Sequence, residues 1–142
     1  MKRLDDKTYV AGQIAPGAVA LLGARGVRLI VNNRPDGEEA GQPGSAEIEA
    51  AAVEAGIAYR HIPIAGQFPE ESVEAMLEAL DGADGPVLVY CRSGLRSAFL
   101  WGLARARAGD EGRDVIARAE AAGFDLGPIR HYFQPGAEGR KA

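Results

Sequence analysis

Cysteine is nearly absent from this chain, since Cys91 is the only one among 142 residues. A single cysteine excludes an internal disulfide and a metal site built from several cysteine ligands. It also suits a compartment that keeps thiols reduced. We expect neither a metal nor an organic cofactor in this protein.

Long apolar runs and an excess of positive charge are also missing. No segment approaches the roughly 20 apolar residues that a membrane-spanning helix needs. The first ten residues are charged and lack the apolar centre of a signal peptide. The net charge of −4 argues against general nucleic-acid binding. We therefore expect a cytoplasmic protein with no membrane and no nucleic-acid partner, and its oligomeric state stays open.

What the chain does contain is enough apolar material for one folded domain. Hydrophobic residues make up 46% of the composition, and a chain of this length buries about two-thirds of its unfolded surface. We predict a single domain over residues 1–135, followed by a disordered tail over residues 136–142.

Strand-like and helix-like patterns alternate along the sequence. Apolar and β-branched segments predict strands at 8–14, 27–33, 58–64 and 86–91. Helical periodicity, bounded by glycine and proline, predicts helices at 16–24, 46–55, 69–80, 98–104 and 114–122. We expect the first strand at an edge of the sheet, and Ser45 as the cap of the second helix. The alternation predicts an α/β fold, a three-layer sandwich with a mostly parallel central sheet.

Three loops are expected to meet at one edge of that sheet. Ligands of parallel sheets bind at the carboxyl ends of the strands. The loops Arg34–Ser45, Ala65–Glu70 and Cys91–Arg96 all follow predicted strands. This edge is therefore the predicted ligand site.

The segment CRSGLRS, which begins at Cys91, has the composition of an anion-binding loop. Ser93 and Gly94 allow a sharp turn, and the N–H groups of such a turn and of the following helix can surround an anion. That environment favours the thiolate, which is the nucleophilic form of cysteine. Arg96 offers two parallel donors to an oxyanion, and the Ser97 hydroxyl could bond the sulfur and ease its release.

Each of these residues also has an ordinary explanation. A lone cysteine is often a buried, unreactive residue, Gly94 could serve only the turn, and Arg96 could be a solvated helix residue. The combination of strand, Cys-x-x-Gly-x-Arg-Ser and helix is far more specific than any one residue, and it favours the anion loop.

The same segment resembles the active loops of two related enzyme groups. Protein tyrosine and dual-specificity phosphatases carry His-Cys-x-x-Gly-x-x-Arg-Ser/Thr, and many rhodanese sulfurtransferases read Cys-Arg-Ser-Gly-x-Arg. Five segments in order, over about residues 8–127, are similar to the bacterial beta-lactamase-hydrolase-like protein phosphatase-like family. They are VAGQIAP, GVRLIVNNRPDGEEAGQP, AGIAYRHIPI, GPVLVYCRSGLRSAFLWGL and AAGFDL. The resemblance implies a cysteine-phosphatase-like fold.

The resemblance also implies roles for the loop residues. Cys91 would be the nucleophile that takes a phosphoryl or sulfur group, Arg96 the anion-binding arginine, and Ser97 the residue that eases release. The backbone N–H groups that cradle the anion would come from Arg92, Ser93, Gly94 and Leu95.

Three departures from the phosphatase pattern bear on the reaction. Tyr90 stands where tyrosine phosphatases have histidine, and Arg96 follows Cys91 by five residues, as in rhodaneses, rather than by six. The segment AGQFPEE lacks the aspartate that dual-specificity enzymes use as general acid. Its glutamates suit the first turn of a helix.

We therefore predict Asp36 as the general acid and Arg34 as a further anion contact. Both lie in a loop expected over the same sheet edge. Asp36 could instead be a turn residue before Gly37, and Arg34 could simply pair with Glu38.

These observations predict a cysteine-dependent hydrolase of a phosphate ester, acting through a thiophosphoryl intermediate on Cys91. Its partner would be a small oxyanion or a phosphorylated substrate. The alternative is a sulfurtransferase that carries a persulfide on Cys91, which explains the short loop and the missing acid. A third possibility is a non-catalytic module that binds oxyanions.

Overall fold

The fold is built on a five-stranded sheet, seen in a computed structural model that describes residues 1–133. The predicted tail, residues 136–142, lies outside the described residues. The strands are β1 (Lys2–Arg3), β2 (Thr8–Ala11), β3 (Leu29–Asn32), β4 (Ala58–His61) and β5 (Val87–Tyr90). Their order is β1-β2-β5-β3-β4, and only the β1–β2 pair is antiparallel. The prediction of a mostly parallel sheet is confirmed.

The position of the first predicted strand is wrong. Thr8–Ala11 lies inside the sheet, between β1 and β5, rather than at its edge. The two-residue strand Lys2–Arg3 occupies the edge, and a strand that short and charged carries no apolar periodicity that a sequence pattern could reveal.

Within residues 1–133, five α-helices cover the sheet. They are α1 (Val19–Ala24, after a 3-10 turn at Pro16–Ala18), α2 (Ser45–Glu54), α3 (Glu70–Gly82), α4 (Leu95–Arg107) and α5 (Gly112–Ala121), followed by a 3-10 helix at Gly127–Phe133. Helices α1 and α2 pack together, and α4 contacts both α3 and α5. None of the helices in residues 1–133 is long and apolar enough to span a membrane.

The two faces of the sheet are buried in separate cores, which confirms the three-layer sandwich. Along β5, Val87 and Val89 enter the core that includes residues of α3, α4 and α5. Leu88 and Tyr90 enter the core on the α1 and α2 side. This alternation is the two-residue period of a strand covered on both faces. The strand ends are therefore held rigidly, with Cys91 immediately after Tyr90.

The predicted capping role of Ser45 is wrong, because Ser45 is already the first residue of α2 and Gly44 precedes it as the cap. The Ser45 hydroxyl lies 2.6 Å from the Tyr59 hydroxyl. The Ser45 N–H donates to the Asp36 carboxylate at 2.8 Å. Asp36 thus satisfies one of the free N–H groups at the start of α2, nine residues away in sequence.

Candidate functional site

The candidate site lies at the carboxyl ends of β2, β5 and β3, where two of the predicted loops, Arg34–Ser45 and Cys91–Arg96, meet. Residues after β2, β3 and β4 all contact the segment Cys91–Ser97. Gln13 follows β2, Asn33 follows β3 and Ile64 follows β4, and each makes a hydrogen bond to this segment. The parallel topology explains this convergence, since it brings the ends of these strands to one edge.

The thiol of Cys91 is buried inside its own loop. Cys91 is 1% exposed, and its Sγ accepts a hydrogen bond from the Gly94 N–H at 3.1 Å. Gly94 has φ +98° and precedes α4, a left-handed conformation that favours glycine. The chain therefore turns back so that a loop N–H points at the sulfur and the positive end of the α4 dipole lies beside it.

The loop after β2 packs against the segment Cys91–Arg96, which is called the cysteine loop below. The Gln13 N–H donates to the Arg92 carbonyl at 3.1 Å. A Cβ atom at Gly12 would lie 2.8 Å from that same carbonyl oxygen, closer than real Cβ contacts allow. Position 12 therefore requires glycine, because the backbone of the cysteine loop leaves no room for a Cβ atom there.

The Ser97 hydroxyl makes a buried hydrogen bond to Asn33 rather than to the cysteine sulfur. Ser97 Oγ donates to Asn33 Oδ1 at 2.7 Å. Asn33 Nδ2 donates in turn to the Ile62 carbonyl at 2.9 Å, which leaves Oδ1 as the acceptor for Ser97. A hydroxyl has one proton to donate, and in this structure Ser97 donates it to Asn33 Oδ1 rather than to the sulfur.

Arg96 is held by a carboxylate from the loop after β3. Its Nη1 donates to Glu38 Oε2 at 2.7 Å and to the Ile64 carbonyl at 2.6 Å, and its Nη2 donates to Glu38 Oε1 at 2.9 Å. The Glu38 carboxylate raises the pKa of Arg96, and the charge of nearby Cys91 adds to this more weakly. Arg96 lies in the first turn of α4, the helix that the cysteine segment leads into.

Arg34 is buried beneath the same carboxylates. Its side chain is 3% exposed. It donates to Glu38 at 2.9 Å, to Glu39 at 2.8 Å and to Gln13 at 3.0 Å. The guanidinium of Arg34 is therefore bonded to its own loop and to Gln13 of the loop after β2. The predicted contact of Arg34 with the substrate stays a prediction.

Glu38 lies between two guanidinium groups and is held in the ionised form. Its hydrogen bond to Arg96 is the largest cause, and with Arg34 it lowers the pKa of Glu38 to about 2 against the opposing effect of burial. A carboxylate with so low a pKa has no proton to donate near neutral pH. Glu38 is therefore an anchor for arginine, and it is unsuited to the role of general acid.

The other carboxylates considered as acids are engaged elsewhere. Asp36 accepts the Ser45 N–H at the start of α2, and Glu70 pairs with Arg107 in the last turn of α4. Asp36 as general acid stays a prediction, with a structural contact now assigned to it. Tyr90 packs into the core beside α1 and α2, where burial raises its pKa.

Sequence reasoning did not identify three residues that support this site, Gly12, Gln13 and Asn33, nor the neighbouring Glu39, whose carboxylate pairs with Arg34 and Arg92. Glu38 was considered only as a partner of Arg34. All lie within the segments VAGQIAP and NNRPDGEEAGQP, in which the sequence pattern pointed only to Arg34 and Asp36 as site residues. Their contacts join positions far apart in the chain, and no local period encodes such contacts. Among residues 1–133 there is no group of three or more histidine, cysteine or acidic side chains that could hold a metal ion.

Comparison with known proteins gives a consistent assignment. The family described as "Beta-lactamase hydrolase-like protein, phosphatase-like domain" matches residues 1–108. A beta-lactamase hydrolase-like protein of Xylella fastidiosa is 38% identical over 126 residues, which are 87% of this chain and 29% of that protein. The chain thus spans less than a third of the curated relatives that it matches.

Solved structures show the same fold. A crystal structure of a candidate phosphatase from Neisseria meningitidis is 33% identical, covers 94% of this chain and 95% of its own, and has a TM-score of 0.80. Human DUSP28 is 20% identical, covers all of both chains, and has a TM-score of 0.65. The second similarity shows the fold alone. The family match and the Neisseria structure support a phosphatase-like function at the level of the family. By sequence and by fold, the chain belongs to the phosphatase-like domain family of the beta-lactamase hydrolase-like proteins.

Proposed function

We propose that this chain is a cysteine-dependent phosphatase that hydrolyses a phosphate ester. The observation that carries the proposal is the geometry around Cys91. Its sulfur accepts the Gly94 N–H inside a loop that leads directly into α4, and Arg96 lies in the first turn of that helix. Such a site stabilises the charge on a phosphoryl group during its transfer through the loop N–H groups, the helix dipole and the guanidinium.

The reaction has two steps. In the first, the Cys91 thiolate attacks phosphorus, a phosphorus–sulfur bond forms, and the bond to the ester oxygen breaks. That oxygen leaves with its electron pair and takes a proton from the general acid, the role predicted for Asp36, or from water. In the second, water attacks the thiophosphoryl group, releases inorganic phosphate and restores the thiolate. Arg96 and the N–H groups of Arg92 to Leu95 hold the phosphoryl oxygens in both steps.

A sulfurtransferase is the second candidate, and the placement of the acids favours it. Glu38 is held ionised, Asp36 binds the start of α2 and Glu70 binds Arg107. A thiolate that attacks the outer sulfur of thiosulfate forms a persulfide and releases sulfite, so there is no alkoxide leaving group that needs a proton. The spacing of five residues from Cys91 to Arg96 agrees with the rhodanese pattern. The third candidate, an oxyanion-binding module, uses the same loop without turnover.

Two substrates distinguish these functions. The intact chain is given an aryl phosphate in one assay, and thiosulfate with cyanide in another. Phosphate release that Cys91→Ser abolishes supports the phosphatase. Thiocyanate formation without phosphate release would overturn it, and a gain of one sulfur atom on Cys91 in mass spectra would support the carrier. Phosphate binding with neither turnover would leave the binding module.

The role of Asp36 is tested in the same assay. If Asp36 only caps α2, Asp36→Asn keeps phosphate release within about threefold, because an amide oxygen still accepts the Ser45 N–H. A general acid contributes roughly 100-fold or more. A loss of that size, together with loss of the acid limb of the pH–rate profile, would assign the acid role to Asp36.

A further inference from the structure

The contacts of Arg96 leave one specific edge of its guanidinium available. Arginine has five N–H donors. Both Nη1 donors are used, by Glu38 Oε2 and by the Ile64 carbonyl, and one Nη2 donor is used by Glu38 Oε1. Within residues 1–133 the remaining Nε–H and second Nη2–H have no hydrogen-bond partner. These two donors lie side by side on one edge and point in parallel, which is the arrangement that binds two oxygens of an oxyanion.

Glu38 is itself held in place by its loop. Gln42 Oε1 accepts the Glu38 N–H at 3.0 Å, and Gln42 Nε2 donates to the Pro35 carbonyl at 2.9 Å. The buried Arg34 donates to Glu38 Oε1 at 2.9 Å. Main chain and side chain of Glu38 are therefore both fixed, so its carboxylate can act as a rigid support for Arg96 rather than as a mobile counterion.

The charge around the loop is compatible with anion binding although a carboxylate is present. Arg92 lies 3.5 Å from Glu39, and Glu38 and Glu39 share Arg34. Three guanidinium groups thus face two carboxylates, so these five side chains together carry one positive charge. The network orients the arginines without cancelling the attraction for an oxyanion.

We propose that Glu38 is a positioning residue that fixes Arg96 so that its Nε–Nη2 edge faces the oxyanion bound above Cys91. This inference rests on the proposed function, since it assigns the donors that the phosphoryl group would meet. The opposite interpretation is that Glu38 occupies the place of the anion and blocks it. The two interpretations predict opposite effects when the carboxylate is removed.

Glu38→Gln tests the proposal, with Glu39→Gln as the matched control. Each variant removes one negative charge from the same loop, which by itself strengthens binding of an anion. Of these two glutamates, Glu38 is the one that contacts Arg96. A glutamine at position 38 would bring an amide N–H donor next to an arginine N–H donor, and the two would repel. We expect inorganic phosphate to bind Glu38→Gln about tenfold or more weakly than the wild type. Glu39→Gln should bind it as tightly as the wild type, or more tightly.

Equal or tighter phosphate binding by Glu38→Gln would overturn the proposal and identify Glu38 as a competitor of the anion. Thermal unfolding of both variants shows that they fold. A second measurement does not depend on phosphate. The Arg96 Nε–H signal in a nitrogen–proton NMR spectrum, assigned by its absence from Arg96→Lys, should be that of a fixed side chain in the wild type and in Glu39→Gln, and should be lost or averaged in Glu38→Gln.

The outcomes also separate this inference from the proposed function. If the wild type neither binds phosphate nor hydrolyses an aryl phosphate, the proposed function fails, and the NMR signal still decides whether Glu38 fixes Arg96. If the wild type hydrolyses the ester and the Arg96 signal is unchanged in Glu38→Gln, the function stands and the positioning role fails.

Discussion

The Ser97 hydroxyl has a single proton to donate, either to the cysteine sulfur in catalysis or to Asn33 as part of the fold. The hydroxyl donates to Asn33 Oδ1 in a buried hydrogen bond. The Asn33 side-chain amide donates to the Ile62 carbonyl, and its backbone N–H donates to the Tyr90 carbonyl at 2.7 Å. Ser97 thus joins the first turn of α4 to the ends of β3 and β5. To assist the sulfur, the hydroxyl would have to leave this partner during the reaction.

We expect Ser97→Ala to lower the free energy of unfolding by about 1–3 kcal/mol, because Asn33 Oδ1 would remain buried without a donor. Urea denaturation measures this change. Ser93→Ala is the control, since the exposed Ser93 hydroxyl only accepts the Leu95 N–H at 3.3 Å. It should change stability by less than about 0.5 kcal/mol. Wild-type stability with slower hydrolysis of the thiophosphoryl intermediate in Ser97→Ala would show instead that the hydroxyl serves the sulfur.

At the scale of elements, the cysteine loop is shaped by its neighbours as much as by its own residues. The loop after β2 lies against the Arg92 carbonyl, the loop after β3 supplies Glu38, and the segment after β4 supplies the Ile64 carbonyl. Each is held by a parallel strand with fixed register. The loop is therefore preorganised before any ligand arrives, which reduces the cost of binding.

Gly12→Ala should disturb this support. The new Cβ atom would lie 2.8 Å from the Arg92 carbonyl oxygen, so the backbone of the cysteine loop would have to move. We expect the free energy of unfolding to fall by about 1–3 kcal/mol, and phosphate to bind more weakly because the loop N–H groups shift with Arg92. Denaturation and phosphate titration report the two effects.

Gly17→Ala is the matched control for that change. Gly17 lies in the short 3-10 turn before α1, and a Cβ atom there would meet no atom within 4 Å. Its stability and phosphate affinity should stay close to those of the wild type. Equal behaviour of the two variants would mean that contact with Gly12 does not shape the cysteine loop.

At the scale of the whole molecule, a network of ion pairs joins the loop after β3 to α4. Arg34 and Arg96 share Glu38, which is 58 residues from Arg96 in the chain. Its pKa is about 2 in the folded chain, against an ordinary value of 4.5. The folded chain therefore binds fewer protons than the unfolded chain between these pH values. The network stabilises the fold above about pH 4.5, and this contribution is lost as the pH falls toward 2.

We expect Glu38→Gln to lower the free energy of unfolding by about 1 kcal/mol at neutral pH, since the pair is only partly shielded from water. The difference from the wild type should shrink as the pH falls from about 4.5 toward 2. Chemical denaturation at several pH values measures it. Asp84→Asn, which removes the exposed pair with Arg28 at 3.3 Å, should have little effect at any pH. A difference for Glu38→Gln that persists unchanged in acid would contradict the assigned ionisation.

The sequence by itself determined the features that depend on neighbouring residues. Alternating apolar segments predicted the layers and the parallel strands, and the spacing of Cys91, Gly94 and Arg96 predicted the turn and the helix that follows it. Such features follow from local period and from the conformational freedom of glycine, which a linear pattern records. The two-residue strand Lys2–Arg3 is too short to leave a pattern of this kind.

Only the tertiary structure decided which partners these residues have. The order of the strands brings Asn33 to Ser97 across 64 residues, and it directs Glu38 to Arg96. It likewise placed Asp36 at the start of α2. A carboxylate near a sequence motif can be an acid, a cap or an anchor, and the choice depends on which donors the packed strands bring within hydrogen-bond distance. That is a property of the assembled sheet rather than of any segment, because it arises from contacts between strand ends that are far apart in the chain.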